Sequence, residues 1–263
     1  MRQFVQSFKD LLFPPMCISC RQCLVDAKKS GVDLLCHTCC RSLLEDVTGR
    51  CRVCGYPRPL VPDSAATVGM PVDSVWTESL NCPECEEVGF GFERIYLVGS
   101  YQGRLQELLL QAKASTSGYV GFTLGQLLAG RLVNSDVDQI VAVPMHWRRR
   151  LMRNQSPATM IARGLSYKTG IPLNLRMLLA RRLTKKQGML SPRQRIRNVE
   201  RAFRVRGSRL HTAKHILLVD DVMTTGATLA EISRALQDYG VDQISVAVVC
   251  RAGFSVPGLG SES

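Results

Sequence analysis

The stretch Ile216–Leu229, ILLVDDVMTTGATL, constrains the fold of this chain more than any other. Its four opening apolar residues, Ile216–Val219, have the character of a strand covered on both faces. They run directly into two adjacent carboxylates, Asp220 and Asp221, and then into a turn that holds Thr224, Thr225 and Gly226. A helical pattern follows, with Leu229, Ile232, Leu236 and Tyr239 on one face and Gly240 as its stop. Val241–Cys250 reads as the next strand, which makes the segment a β-loop-α-β unit. This order sets acidic groups at the carboxyl end of a buried strand and free backbone amides at a helix start. Ligands of open α/β sheets bind at that edge, and a helix N-terminus suits a phosphate. Gly226 lets the backbone approach a ligand with no Cβ in the way. Thr224, Thr225 and Thr228 add hydroxyls to the cradle. The chemistry implied is that of a sugar phosphate, with carboxylates for sugar hydroxyls and amides for the phosphate. An Asp pair after a strand also serves as ordinary capping chemistry.

The cysteines divide the chain. Ten of the eleven lie within residues 1–90, eight of them as Cys17-x-x-Cys20, Cys36-x-x-Cys39, Cys51-x-x-Cys54 and Cys82-x-x-Cys85. A C-x-x-C turn points two thiolates at one ion, and two such turns complete a tetrahedral site. Four pairs imply two structural zinc ions, or one if only two pairs bind. Sequential pairing is the simpler assignment, and interleaved pairing stays open. Cys23 and Cys40 are spare beside the pairs, and Cys250 reads as strand core. Disulfides would need an oxidising compartment, and a redox motif would need one C-x-x-C in a βαβ context. A closed site of four thiolates has no open position for catalysis. It acts as a staple for a module too small to build its own core, or as a platform for a partner.

Composition narrows the class. The apolar and charged fractions, 45% and 21%, are those of a globular protein, and no apolar run is long enough for a membrane span. The opening MRQFVQSFKDLLFPP lacks the apolar core of a signal peptide, so a cytoplasmic location is expected. The net charge of +12 is unevenly spread. Residues 141–219 hold 19 Lys and Arg against one acid, Glu200, whereas the remainder holds 15 basic and 21 acidic residues. Such a cationic segment attracts nucleic acid or neutralises a pyrophosphate; a solvated basic surface is the plain alternative.

Tyr56–Ser79, with Pro57, Pro59, Pro62 and Pro71, reads as an irregular loop. Beyond Phe92 the pattern changes. Arg94–Ser100 reads as a strand, Leu105–Lys113 and Leu124–Val133 as helices, Gln139–Val143 as a short strand and Met160–Tyr167 as a helix. The expected fold is therefore α/β with a mostly parallel sheet over residues 91–263, preceded by a small Cys-rich module over residues 1–90. No repeat of long period stands out.

Ile216–Leu229 resembles the PRPP-binding loop of type I phosphoribosyltransferases, with acidic pair, turn and threonines in order over about thirteen positions. The resemblance implies that Asp220 and Asp221 hold ribose hydroxyls. It implies that Thr224, Thr225, Gly226, Ala227 and Thr228 wrap the 5-phosphate. With the N-terminal zinc ribbons, the whole chain is similar to the ComF family of competence-associated, phosphoribosyltransferase-like proteins. The similarity is carried by Tyr101-x-Gly103 with LQELLLQAK ending in Lys113, by VPMHWRRRLMR at Val143–Arg153, by LSPRQRIRNVERAF at Leu190–Phe203, and by VVCRAG. One segment departs from the family pattern. Arg153 is followed by Asn154, Gln155, Ser156 and Pro157, where the family usually reads R-G-F-N-Q. The resemblance implies Lys113 and Arg153 as catalytic cations that neutralise a pyrophosphate bridged by Mg2+. Arg195 and Arg197 would form a basic hood. Arg148, Arg149 and Arg150 are candidates for contact with single-stranded DNA. The function implied is handling of transforming single-stranded DNA together with uptake-machinery proteins. An active phosphoribosyltransferase of nucleotide metabolism and a non-catalytic zinc-ribbon adaptor are the rivals.

Overall fold

The computed structural model describes residues 14–24, 31–57, 82–132, 135–145, 156–181, 199–206 and 213–253. Its centre is a five-stranded sheet. The strands are β1 (Arg94–Ser100), β2 (Gln139–Ala142), β3 (Leu173–Asn174), β6 (His215–Met223) and β7 (Gln243–Arg251). They lie side by side in the order β1-β7-β6-β2-β3, and every pairing is parallel. The inner strands β6 and β7 are buried on both faces, as their unbroken apolar runs require.

Helices cover both faces. On one side α3 (Gly103–Ala114), α4 (Tyr119–Ala129) and α5 (Pro157–Thr169) supply Leu105, Leu109, Leu124, Leu128, Ile161 and Leu165 to one apolar cluster, together with Leu217 and Val219 of β6. On the other, α6 (Ala227–Tyr239) supplies Leu229, Ile232 and Leu236 to a second cluster, with Ile216 and Leu218 of the same strand. The alternation of β6 side chains between the two clusters is the pleat of a strand. Helices α4 and α5 touch through glycine: a Cβ on Gly125 would meet the Ile161 carbonyl, and one on Gly164 the Phe122 carbonyl. Each helix expected beyond Phe92 is present. The second runs Tyr119–Ala129 rather than Leu124–Val133, because Gly118 in a left-handed conformation starts it earlier and Gly130 stops it. A two-stranded antiparallel sheet, β4 (Leu178–Ala180) and β5 (Phe203–Val205), packs on the α6 side. It went unseen in the sequence, because its strands are three residues each and far apart along the chain.

The topology creates a crevice. From β2 the chain crosses through α5 to β3, and from β6 it crosses through α6 to β7, in the opposite direction. The carboxyl ends of the neighbours β2 and β6 are therefore a topological switch point, where open α/β sheets hold ligands.

The Cys-rich region straddles the outer edge of β1. Cys17, Leu24, Val32, Leu35, Cys39 and Leu43 join the α3–α4 cluster, whereas Cys51 and Cys54 join the α6 cluster. Between them the chain caps the exposed strand. Glu45 N–H donates to the Val98 carbonyl (3.2 Å), and Ile95 N–H donates to the Arg52 carbonyl (2.8 Å). The Glu45 carboxylate accepts from Ser100 N–H (2.8 Å), Ser100 Oγ (3.0 Å) and Arg50 Nη2 (3.2 Å). Arg131 from the end of α4 donates to the Glu45 and Val98 carbonyls. An edge strand covered in this way offers less of its ladder to another chain.

Candidate functional site

Asp220 and Asp221 project at the switch point. The strand that carries them continues past both to Met223, because β7 pairs with it as far as Met223 opposite Arg251. Strand β2 stops earlier, with Ala142 opposite Val219. The two aspartates thus sit on a supported strand end that is open toward β2. Each carboxylate bends onto the next amide: Asp220 Oδ1 accepts from Asp221 N–H and Asp221 Oδ1 from Val222 N–H, both at 2.8 Å. Asp221 Oδ2 lies 3.2 Å from Lys113 Nζ, at the last turn of α3. Lys113 also stands over the Tyr101 ring, 5.9 Å from its centroid. The fold has brought together two residues that the sequence reading singled out separately. Burial, and then the negative charge of Asp221, pushes the Asp220 carboxyl well above the usual carboxylate range; Lys113 opposes the shift. A carboxyl in that state, as Asp220 is, ionises more readily when a cation or a set of hydroxyl donors arrives.

The following loop completes a cradle. Thr224, Thr225 and Thr228 are half-buried, and Gly226 sits at φ 72° as the N-cap of the 13-residue helix α6. Gly226 makes no side-chain cap, and Thr225 Oγ1 accepts only a long 3.5 Å bond from Ala227 N–H. The requirement for glycine is internal as well as ligand-facing. A Cβ there would meet Phe90 Cε1 and Met223 Cε, and the positive φ disfavours any other residue. Arg148, Arg149, Arg150, Arg153, Arg195 and Arg197 lie outside the described residues.

The eight cysteines form two groups, Cys17–Cys20–Cys36–Cys39 and Cys51–Cys54–Cys82–Cys85, each with its sulfurs within 4.8 Å of one another. The pairing is the sequential one. Sulfur–sulfur separations are 3.9 Å for Cys20–Cys36, 3.7 Å for Cys51–Cys85 and 3.5 Å for Cys54–Cys82. A tetrahedron with metal–sulfur bonds of about 2.3 Å has edges of about 3.8 Å, so the residues fit zinc. Cys17 and Cys36 sulfurs accept backbone N–H groups at 3.4 Å. Burial pushes Cys39 up to about 12. In the same cluster burial raises Cys17 too, but the N–H groups of Cys20, Cys36 and Ser19 outweigh it and bring Cys17 to about 7. Cys23 and Cys40 belong to neither group, and Cys250 is fully buried in β7.

The two groups share one construction. The bridges Met16–Cys23 and Arg50–Pro57 bracket equivalent turns, with Arg21 (φ 60°) and Gly55 (φ 71°) at the same point. The second half of each group opens a helix, α1 (His37–Leu43) after Cys36 and α2 (Pro83–Val88) after Cys82. This repeat escaped the sequence reading because only the cysteines are shared between the copies. Arg251 was also missed as an individual. It is buried to 1% exposure, and the only sequence signal was a charge closing an apolar strand.

The model of the phosphoribosyl transferase domain family matches residues 156–255, which contain β6, the loop and α6. The DNA utilization protein YhgH of Escherichia coli K12 is 29% identical over 253 residues, covering 92% of this chain and 99% of that protein. A hypoxanthine/guanine phosphoribosyltransferase of Methanobacterium paludis is 31% identical over 120 residues, 46% of this chain and 55% of that one. Competence protein F of Haemophilus influenzae is 30% identical over 181 residues, 65% of this chain and 79% of that protein. With two four-cysteine groups ahead of a phosphoribosyltransferase-type parallel sheet, this chain belongs to the competence protein F (ComF) family.

Proposed function

We propose that the chain binds PRPP, or a closely related ribose 5-phosphate ester, with Mg2+ at the β6–α6 junction, and that it does so in the service of DNA utilisation. The observation that carries this reading is the meeting of Lys113 with Asp221, 3.2 Å apart, on the strand that leads through Thr224–Gly226 into α6. Asp220 and Asp221 are assigned to the ribose hydroxyls and Thr224–Thr228 to the 5-phosphate. Lys113 and Arg153 are assigned to the pyrophosphate side, with Mg2+ among its oxygens. Zinc in the two four-cysteine groups is structural. Titration calorimetry of zinc-loaded protein with PRPP and Mg2+ tests the site. Wild type is expected to bind and Asp220→Ala/Asp221→Ala to lose binding. No heat from folded wild type, or equal affinity in the double variant, contradicts the assignment.

The DNA part of the reading rests on the names of the relatives and on the basic segment. Arg176, Arg181, Arg201, Arg204 and Arg206 are exposed around the β4–β5 sheet. Such cations, together with Arg148, Arg149 and Arg150 of the same basic stretch of sequence, suit a single strand held by its backbone. A transferase of nucleotide metabolism is favoured instead if some base drives pyrophosphate release from PRPP and Asp221→Ala abolishes it.

A further inference from the structure

The second four-cysteine group lies against the loop assigned above to phosphate, and two separate connections join them. The first is Arg251, at the end of β7. Burying a guanidinium is costly unless its N–H groups are satisfied, and here backbone carbonyls satisfy them. Nε donates to the Cys54 carbonyl (3.0 Å), and Nη1 donates to the carbonyls of Met223 (3.3 Å) and Ala252 (2.7 Å). Cys54 is a member of the group, and Met223 is the residue that leads into Thr224. One side chain therefore spans the sulfur site and the entrance of the loop. The Arg251 carbonyl also accepts from Tyr101 N–H (2.9 Å), the residue whose ring lies under Lys113.

The second connection runs through Phe90. Cys85 lies in α2, whose end is closed by Gly89 N–H donating to the Cys85 carbonyl (3.0 Å). Phe90 follows at once. Its ring occupies the space that a side chain at Gly226 would need, and it packs on Phe92 with centroids 4.9 Å apart. Gln237 of α6 fixes the same segment by donating to the Gly91 carbonyl (3.1 Å). The first four-cysteine group packs on the opposite face of the sheet.

We propose that Arg251 and Phe90 are positioning residues through which the Cys51–Cys54–Cys82–Cys85 metal site holds the Thr224–Thr228 loop in its oxyanion-binding shape. Metal in that site fixes the Cys54 carbonyl and the start of α2, and these fix Arg251 and Phe90. Loop order established this way is not charged to the ligand on binding. The proposal rests on the phosphate reading for its consequence, but the order of the loop is measurable without any ligand.

The test is hydrogen exchange on full-length, zinc-loaded protein, comparing wild type with Arg251→Met, Arg251→Lys and Phe90→Ala, with zinc per chain measured in each. At unchanged zinc content, the 223–228 amides are expected to exchange about tenfold faster in Arg251→Met and Phe90→Ala, with Arg251→Lys between them and wild type. The β7 core amides Val246–Val249 serve as the control for global unfolding and should keep their protection. Stripping the zinc should produce the same local acceleration. PRPP affinity should fall in step with loop order. Wild-type exchange at 223–228 in variants that keep their zinc, or in zinc-stripped protein with an intact β7, overturns the proposal. Faster loop exchange in a protein whose wild type binds no PRPP upholds the coupling and rejects the ligand assignment instead.

Discussion

Asp220 is a carboxylate kept against its own interest. Burial and the charge of Asp221 raise its folded pKa above the unfolded value. Its ionisation therefore subtracts from stability, and the loss grows as pH rises from the usual carboxylate range through the raised folded pKa. Asp220→Asn removes that loss. The variant should melt above wild type at neutral pH while failing to bind PRPP, as calorimetry and thermal unfolding on one sample would show. In wild type, Mg2+–PRPP should release a proton from this group, so affinity should rise with pH and the binding heat should depend on the buffer. Lys113→Met should weaken PRPP about tenfold to a hundredfold, the range for a lost hydrogen bond to charge. Gly226→Ala combines a positive φ with a clash against Phe90, and should cost about 2 to 4 kcal/mol in denaturant unfolding.

Among the elements, those that were legible in the sequence were those whose pattern is local. The apolar run of β6, the amphipathic face of α6 and the C-x-x-C spacings each announce themselves within a few residues. What stayed hidden was set by partners distant in the chain. Strand β6 extends to Met223 because β7 pairs it there, and β4–β5 forms only when residues from both sides of a long insertion meet. Arg251 looks like a strand-end charge until Cys54 and Met223 surround it. The duplicated four-cysteine construction was visible only as spacing, yet it gives a sharp expectation. Elemental analysis should find two zinc ions per chain, and Cys36→Ser should lose one while retaining the other. Loss of both would mean that the two sites do not load independently.

At the scale of the whole molecule, the sheet supplies the switch point, the two faces carry one cysteine group each, and the basic segment runs in sequence from β2 to β6. If that segment holds a single strand, Arg148→Ala/Arg149→Ala/Arg150→Ala should flatten the log–log salt dependence of binding by about 2, from about 0.7 per lost phosphate contact. An unchanged slope would place the strand elsewhere. The central claim concerns the carboxyl edge of β6, and it is tested most directly by a crystal structure with PRPP and Mg2+. The account predicts ribose hydroxyls on Asp220 and Asp221, and the 5-phosphate about 2.9 Å from amides of Thr224–Thr228. PRPP bound away from that edge, or bound there with its phosphate turned from α6, would contradict it.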